Sequence, residues 1–145
     1  MREIAVGDWT GAEIDTLISD QPEHYHGWRA GTYAPPGGEL WANFRERVAA
    51  VITAEAASPC DNLLVVCHGG VIRALVEHLL DLPPRQIIPV GPASLTAIRL
   101  ADTGPRLELF NYRPDLPEFA APDQRYLSAQ FAPQPGCALI LRPFR

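Results

Sequence analysis

A histidine followed by two glycines stands where a strand-like segment passes into a helix-like one. The apolar run 63–67 has the length of a buried strand, His68-Gly69-Gly70 follows it, and the residues from 71 to 80 fit a buried helix. In open α/β sheets, ligands bind at the carboxyl ends of strands. Glycine lets backbone N–H groups approach a ligand closely, and the start of a helix attracts anions. The segment therefore predicts a site for phosphate or another small anion, with the His68 imidazolium as a charged donor.

The same segment also fits a second kind of phosphatase chemistry. Cys67 and Arg73 have the spacing C-x-x-G-x-x-R of the loop in which a thiolate attacks phosphorus and an arginine holds the phosphate oxygens. That loop usually has a histidine before its cysteine and a serine or threonine after its arginine, whereas this chain has Val66 and Ala74. We therefore favour a small packed residue for Cys67. Arg73 is expected to hold a carboxylate or a loop carbonyl.

No metal or cofactor is expected. His24 and His26 have the H-x-H spacing of metal ligands, but no third ligand is apparent. The three cysteines match no zinc-binding pattern, and their odd number is most simply explained by reduced thiols. Reduced thiols favour a cytoplasmic location.

Composition restricts the possible partners. The 145 residues are enough for one domain, and 47% hydrophobic with 20% charged residues is typical of globular proteins. The formal net charge of -5 argues against nucleic acid, which requires a basic face. No apolar run reaches the roughly 18 residues of a membrane span, so no membrane partner is expected. A small phosphorylated metabolite is compatible with this charge, because a few local cations and amides can bind it.

Hydrophobic periodicity predicts alternating helices and strands. Three helices are expected: a short one with Ile14, Leu17 and Ile18 on one face, a long one over 39–56 and a buried one over 70–80. The apolar face of the long helix is expected to carry Trp41, Phe44, Val48, Val51 and Ile52. A loop is expected over 20–38, and strands over 63–67, 94–100, 106–112 and 138–141. We divide the chain into a domain over 1–112 and a proline-rich tail over 113–145 with a possible final strand.

Three segments, in this order, resemble motifs of the histidine phosphatase superfamily, also called the phosphoglycerate mutase-like family. Residues 3–11, EIAVGDWTG, are similar to its E-x-x-x-G-x-W-E-G segment, with threonine in place of the second glutamate. Residues 36–48, PGGELWANFRERV, are similar to P-G-G-E-S-x-x-x-F-x-x-R-V, and residues 65–75, VVCHGGVIRAL, to V-V-S-H-G-G-V-I-R-A-L. Within the family, the pattern is most like the small phosphatases of the α-ribazole phosphatase and broad-specificity type.

The resemblance implies a fold, a reaction and roles for individual residues. The fold is a three-layer α/β sandwich, and the reaction is hydrolysis of a phosphomonoester through a phosphohistidine intermediate. Glu3 is implied as the acid that protonates the leaving oxygen, and His68 as a ligand of the transferred phosphate beside Gly69 and Gly70. The variable segment that covers the substrate in this family implies a specificity role for His24, Trp28, Arg29 and Glu39.

Two segments of the family are not found in these residues. The first is R-H-G at the end of the first strand, and its histidine is the nucleophile of the family. The second is a later segment with a serine and an arginine, which supplies another phosphate ligand. We therefore expect a phosphatase domain that lacks its amino-terminal section and is inactive by itself. The alternative is a non-catalytic phosphate-binding or structural remnant.

The strand that would carry R-H-G lies in the middle of the family's sheet, beside 63–67. Without it, strand 63–67 would have unpaired backbone groups, which promote association. We therefore expect one of three outcomes: aggregation, a homodimer formed through that edge, or use of the terminal segment 138–141 to fill the gap.

Overall fold

The computed structural model describes residues 1–57, 62–114 and 137–143. In these ranges it contains four helices and four strands, in the order α1 (Ile14–Asp20), α2 (Pro22–Ala30), α3 (Trp41–Ala56), β1 (Leu63–Cys67), α4 (Gly69–Leu80), β2 (Leu95–Ala101), β3 (Gly104–Tyr112) and β4 (Cys137–Pro143). Single turns of 3-10 helix lie at Gly7–Trp9 and Pro84–Gln86. The α/β class predicted from the sequence is confirmed.

The strands form one sheet with the spatial order β1-β4-β2-β3. β2 and β3 form an antiparallel hairpin, as the sequence predicts. β4 lies between β1 and β2, antiparallel to β1 and parallel to β2. The segment near the end of the chain therefore occupies the position beside β1, which was one of the three outcomes that the sequence left open.

Helix α4 lies at the centre of the core. Residues 71–76 are all buried, because apolar side chains occupy most of the circumference of the helix, as predicted. The helix follows β1 directly through His68 and ends at Asp81, which adopts a left-handed conformation with φ 53°. The order strand, histidine, helix places His68 at the carboxyl end of β1.

Helix α3 packs on α4 through Phe44, Val48 and Ile52, which are all buried. Val51 was predicted on the same face, but it is 41% exposed, because it lies at the margin of the apolar stripe. The indole of Trp41 donates a hydrogen bond to the carboxylate of Glu77 on α4, which adds a polar contact between the two helices.

The loop predicted over 20–38 is wrong in its first half, where α2 forms. Pro22 stands in the first turn, where its missing N–H costs nothing, and Gly31 ends the helix in a left-handed conformation with φ 78°. Tyr25 is buried against a second apolar cluster with Trp9 and Leu17. The residues proposed for substrate specificity in this region therefore lie on a helix.

The two faces of β1 have different environments. Leu63, Val65 and Cys67 pack toward the helical core. Leu64 and Val66 point to the opposite face and are 62% and 71% exposed. Over the described residues, β1 thus has one helical layer, which corresponds to an incomplete form of the predicted three-layer sandwich.

Candidate functional site

The candidate site is at the start of α4. His68 occupies the N-cap position with extended backbone angles, φ -107° and ψ 165°, and its side chain is exposed and makes no capping hydrogen bond. The carbonyl of His68 accepts the first hydrogen bond of the helix, from the N–H of Ile72 at 3.2 Å. The N–H groups of Gly69 and Gly70 precede that bond, so they have no partner within the helix. These donors and the imidazole are suited to an anion.

The Glu3 carboxylate occupies part of this site. Its Oε2 accepts a hydrogen bond from the N–H of Gly70 at 2.9 Å, and its Oε1 accepts one from the N–H of Ile4 at 2.7 Å. A carboxylate is stabilised there because the start of a helix carries partial positive charge. The structure thus brings together two residues that the sequence proposed for the site, although 67 positions separate them.

Both glycines of the turn allow close approaches. A Cβ atom at Gly70 would lie 2.1 Å from Oε1 of Glu3, so only glycine leaves room for the carboxylate in this position. A Cβ atom at Gly69 would lie 3.3 Å from both the carbonyl oxygen and the Cβ of Val90. The Glu3 carboxylate therefore requires glycine at position 70, whereas at position 69 a side chain would only crowd Val90.

The loop around Val90, residues 89–91, is held against the site by a residue that the sequence did not reveal. The side chain of Asn111 accepts a hydrogen bond from the N–H of Gly91 at 2.8 Å and donates one to the carbonyl of Pro89 at 3.3 Å. Asn111 itself has a left-handed backbone with φ 52°, a conformation that asparagine tolerates.

Glu39 takes part in a network around the main chain of Glu3. Arg47 of α3 donates from Nε to Oε1 of Glu39 at 2.6 Å and from Nη2 to Oε2 at 2.8 Å. It also donates to the carbonyls of Arg2 and Glu3, each at 3.0 Å. The hydrogen bonds from Arg47 lower the pKa of the Glu39 carboxyl. The N–H of Glu39 donates to the carbonyl of Ala5 at 2.8 Å.

The other residues proposed for specificity lie on α2. The ring of His24 stacks on Tyr33, with 4.4 Å between the ring centroids. Trp28 packs edge to face on Trp9, at 6.1 Å between the ring centroids. The carbonyl of Arg29 accepts a hydrogen bond from Arg73 of α4, which connects the two helices.

Arg73 is an anchor inside the core. It is 5% exposed, and its guanidinium lies 5.4 Å from the ring centre of Trp41. The sequence predicted a carboxylate or a loop carbonyl as its partner, but the carbonyl that accepts its hydrogen bond belongs to Arg29 in the last turn of α2. Burial, followed by the nearby cation of Arg29, lowers the pKa of Arg73 to about 9. Cys67 is also buried, at 4% exposure.

Neither a metal-binding cluster nor a membrane-spanning helix is present in the part of the chain that the structure describes. No group of three His, Cys, Asp or Glu side chains there could hold a metal ion. No helix there is both long enough and apolar enough to cross a membrane.

Arg47 is a second residue of the site, after Asn111, whose role sequence reasoning missed. It stands in the second motif, but nothing in its local pattern indicates a partner, because Glu39 lies eight positions earlier and outside the helix. The helix rule of pairs three or four apart does not apply to such a contact. Only the placement of the loop before α3 reveals it.

Comparison with known proteins identifies relatives of this chain. The adenosylcobalamin/alpha-ribazole phosphatase of Salmonella typhimurium is 30% identical over 118 residues, which cover 78% of this chain and 58% of the relative. The glucosyl-3-phosphoglycerate phosphatase of Mycobacterium tuberculosis is 37% identical over 93 residues, 57% of this chain and 42% of the relative. A 2,3-bisphosphoglycerate-dependent phosphoglycerate mutase of Cytophaga hutchinsonii is 34% identical over 93 residues, 61% and 40% of the two chains.

A family model also matches most of this chain. The chain spans about half the length of the relatives, between 40% and 58% in these three cases. No solved structure matches it significantly. The family model of the histidine phosphatase superfamily, branch 1, matches residues 1–113 and so includes Glu3, Glu39 and His68. This chain belongs to the histidine phosphatase superfamily.

Proposed function

We propose that this chain carries the phosphate-binding and proton-donating part of a phosphomonoester hydrolase site. The observation that carries the proposal is the contact between the Glu3 carboxylate and the N–H of Gly70. It joins a possible acid to the start of the helix that follows His68. An acid and an anion site are needed side by side when a phosphoryl group is transferred and its leaving oxygen must receive a proton.

The roles follow from the charge that develops in the reaction. In the transition state, negative charge spreads over the phosphoryl oxygens, which the His68 imidazolium and the N–H groups of Gly69 and Gly70 would stabilise. As the ester P–O bond breaks, the Glu3 carboxyl gives its proton to the leaving alkoxide. The electron pair that forms the new bond to phosphorus comes, by the family resemblance, from a second histidine.

The other histidines of these residues do not suit that second role. His24 and His26 lie on α2, and His78 lies in the last turn of α4, at the opposite end of the helix from His68. We therefore expect that the 145 residues by themselves bind phosphate without catalysing turnover. A non-catalytic phosphate-binding remnant is the second candidate function, and it shares the same anion site.

The ligand class is a small phosphorylated metabolite. Support comes from the names of two relatives, which are phosphatases of glucosyl-3-phosphoglycerate and of alpha-ribazole. The cysteine mechanism has less support. Cys67 is buried, and the guanidinium of Arg73 already donates to the carbonyl of Arg29.

Anion titration followed by NMR tests the proposed site. Phosphate or tungstate should shift the Gly69 and Gly70 amide signals and the His68 ring signals saturably. His68→Asn should weaken binding, whereas the matched change His78→Asn at the other end of α4 should not. Equal affinity of the wild type and His68→Asn would refute the site.

Turnover of p-nitrophenyl phosphate tests the second part of the proposal. The purified chain should show no turnover above the background rate. A rate near roughly 10 per second, the median of enzymes, would refute the expected inactivity. If Cys67→Ser then abolished that rate, the cysteine mechanism would replace the histidine mechanism.

A further inference from the structure

We propose that Glu39 and Arg47 are positioning residues that hold the Glu3 carboxylate at the start of α4. The assignment of Glu3 as an acid rests on the function proposed above. The placement of its carboxylate by this pair does not, and it can be tested separately.

The first step of the argument is the conformation of the segment around Glu3. Residues 1–5 belong to no helix or strand, and Val6 makes only an isolated bridge with Gly38. Segments without regular structure keep a defined position only where other parts of the protein hold them. The Glu3 carboxylate nevertheless has a defined position on Gly70, so contacts outside regular structure must fix its main chain.

Arg47 supplies contacts of that kind. Its guanidinium binds the carbonyls of two consecutive residues, Arg2 and Glu3, through Nη1 and Nη2. The guanidinium lies 4.8 Å from the ring centre of Phe44, which is completely buried in the core between α3 and α4. The fork geometry of arginine is rigid, so it fixes both carbonyls relative to α3.

Glu39 holds both the arginine and the main chain. Its two carboxylate oxygens accept the two-pronged contact from Arg47. Its N–H donates to the carbonyl of Ala5, and its Oε2 accepts from the N–H of Ala5 at 3.4 Å. The main chain is therefore held on both sides of the Glu3 side chain, at residues 2–3 by Arg47 and at residue 5 by Glu39.

The opposite charges of Glu39 and Arg47 indicate that the pair positions the Glu3 carboxylate and does not act on it through charge. Glu39 balances the positive charge of Arg47, so the two together add little net field at the Glu3 carboxylate. Their hydrogen bonds to one another raise the pKa of Arg47 and lower the pKa of Glu39, so both stay ionised near neutral pH. The contribution of the pair to the site is therefore the position of the Glu3 carboxylate.

The experiment follows the Gly70 amide signal during an acid titration. Acid removes the negative charge of the carboxylate that accepts the hydrogen bond of the Gly70 N–H, so the shift of the Gly70 signal reports that contact. In Arg47→Lys, which keeps the charge but loses the fork, the amplitude of that shift should fall to less than half of the wild-type value. Glu39→Gln should reduce it as well. The matched control is Arg45→Lys on the same helix, since Arg45 pairs with Glu77 instead, and it should keep the full amplitude.

The possible outcomes separate this inference from the proposed function. A full Gly70 titration in folded Arg47→Lys and Glu39→Gln would overturn it, and so would an equal loss in the Arg45→Lys control. If Arg47→Lys fails to fold, the nearly isosteric Glu39→Gln still decides the matter. The titration requires no phosphate, so a failure of the wild type to bind phosphate would refute the proposed function and leave this result intact.

Discussion

At the scale of single residues, Glu3 and a bound anion require the same donor. The N–H of Gly70 is one of the free donors at the start of α4, and the Glu3 carboxylate accepts its hydrogen bond. An incoming phosphate must therefore displace the carboxylate or meet it in its protonated form. Under the proposed function, the Glu3 carboxylate and the phosphate therefore compete for the N–H of Gly70.

The contact between Glu3 and Gly70 leads to a prediction about Gly70→Ala. This substitution should change the free energy of unfolding in opposite directions with and without the Glu3 side chain. Gly70→Ala should destabilise the wild type, because the new methyl group would collide with Oε1 of Glu3 and break the contact with Gly70. In a Glu3→Ala background the collision is absent, because the three nearest atoms to that methyl group all belong to the Glu3 carboxylate. There Gly70→Ala should raise the free energy of unfolding by up to about 1 kcal/mol, the helix preference of alanine over glycine.

Urea unfolding of the wild type, both single variants and the double variant measures this difference as a cycle. The same cycle for Glu13→Ala with Gly70→Ala is the control, since Glu13 precedes α1 and has no contact with Gly70 among those that the structure records. A Gly70→Ala change with the same sign in both the wild-type and the Glu3→Ala background would show that the carboxylate does not lie on Gly70.

A second residue-scale prediction concerns acid stability. Hydrogen bonds from Arg47 lower the pKa of Glu39 below the ordinary value of 4.5, so its ionised form is favoured in the folded state. The stabilisation is complete above pH 4.5 and is lost as the pH falls through the lower folded value. Glu39→Gln should therefore be less stable than the wild type at neutral pH, and the difference should shrink in acid.

Chemical unfolding at neutral pH and at several acidic values checks this prediction. Glu46→Gln is the matched control, because Glu46 is on α3 and belongs to none of the ion pairs that the structure describes. A gap between wild type and Glu39→Gln that stays constant down to pH 3 would mean that the Glu39–Arg47 contact does not respond to protonation.

At the scale of elements, hydrophobic periodicity predicts the helices and strands that have an uninterrupted pattern of apolar residues. Helices α3 and α4, strand β1 and the β2–β3 hairpin follow from runs or alternations of apolar residues within short windows. Their order also places His68 at the end of β1. The location of the proposed anion site at the start of α4 could therefore be predicted without any knowledge of the rest of the chain.

Helix α2 was missed because its stabilisation comes from signals at its two ends. Its composition of proline, glycine, histidine and aromatic residues is typical of a loop, but Pro22 favours the first turn of a helix and Gly31 favours the end. Tyr25 and Trp28 then pack on Trp9 and Leu17, residues that precede α2 in the chain. Tertiary packing thus outweighs the weak local preference.

The contacts that complete the candidate site are long-range and have no local signal. Glu3 meets Gly70 across 67 positions, and Arg47 meets Glu3 across 44 positions. The motifs identify these residues as members of a family site, but the hydrogen bonds that join them follow from the packing of α3 on α4. The role of Arg47 could be inferred only from those bonds.

At the scale of the whole molecule, strand β4 connects two parts of the sheet. It lies between β1 on one side and the β2–β3 hairpin on the other. Residues 137–141 pair with β1, and residues 138–143 pair with β2. β1 leads to His68, whereas β2 and β3 carry Thr96 and Asn111, which support the loop beside Gly69. The position of that loop relative to the start of α4 is therefore set by β4 together with the packing of Val90 in the core around α4.

Removal of residues 136–145 should consequently weaken the whole domain. β1 would lose its partner in the sheet, and its apolar residues Leu64 and Val66, already exposed on one face, would lie beside an unpaired edge. We expect the shortened chain to unfold at lower temperature with less cooperativity, or to associate through that edge, in thermal unfolding and light scattering. Truncation after Pro143 is the control, because it retains all of β4, and it should match the wild type in both measurements. A monomer without residues 136–145 that unfolds cooperatively at the wild-type temperature would show that β4 does not hold the two parts of the sheet together.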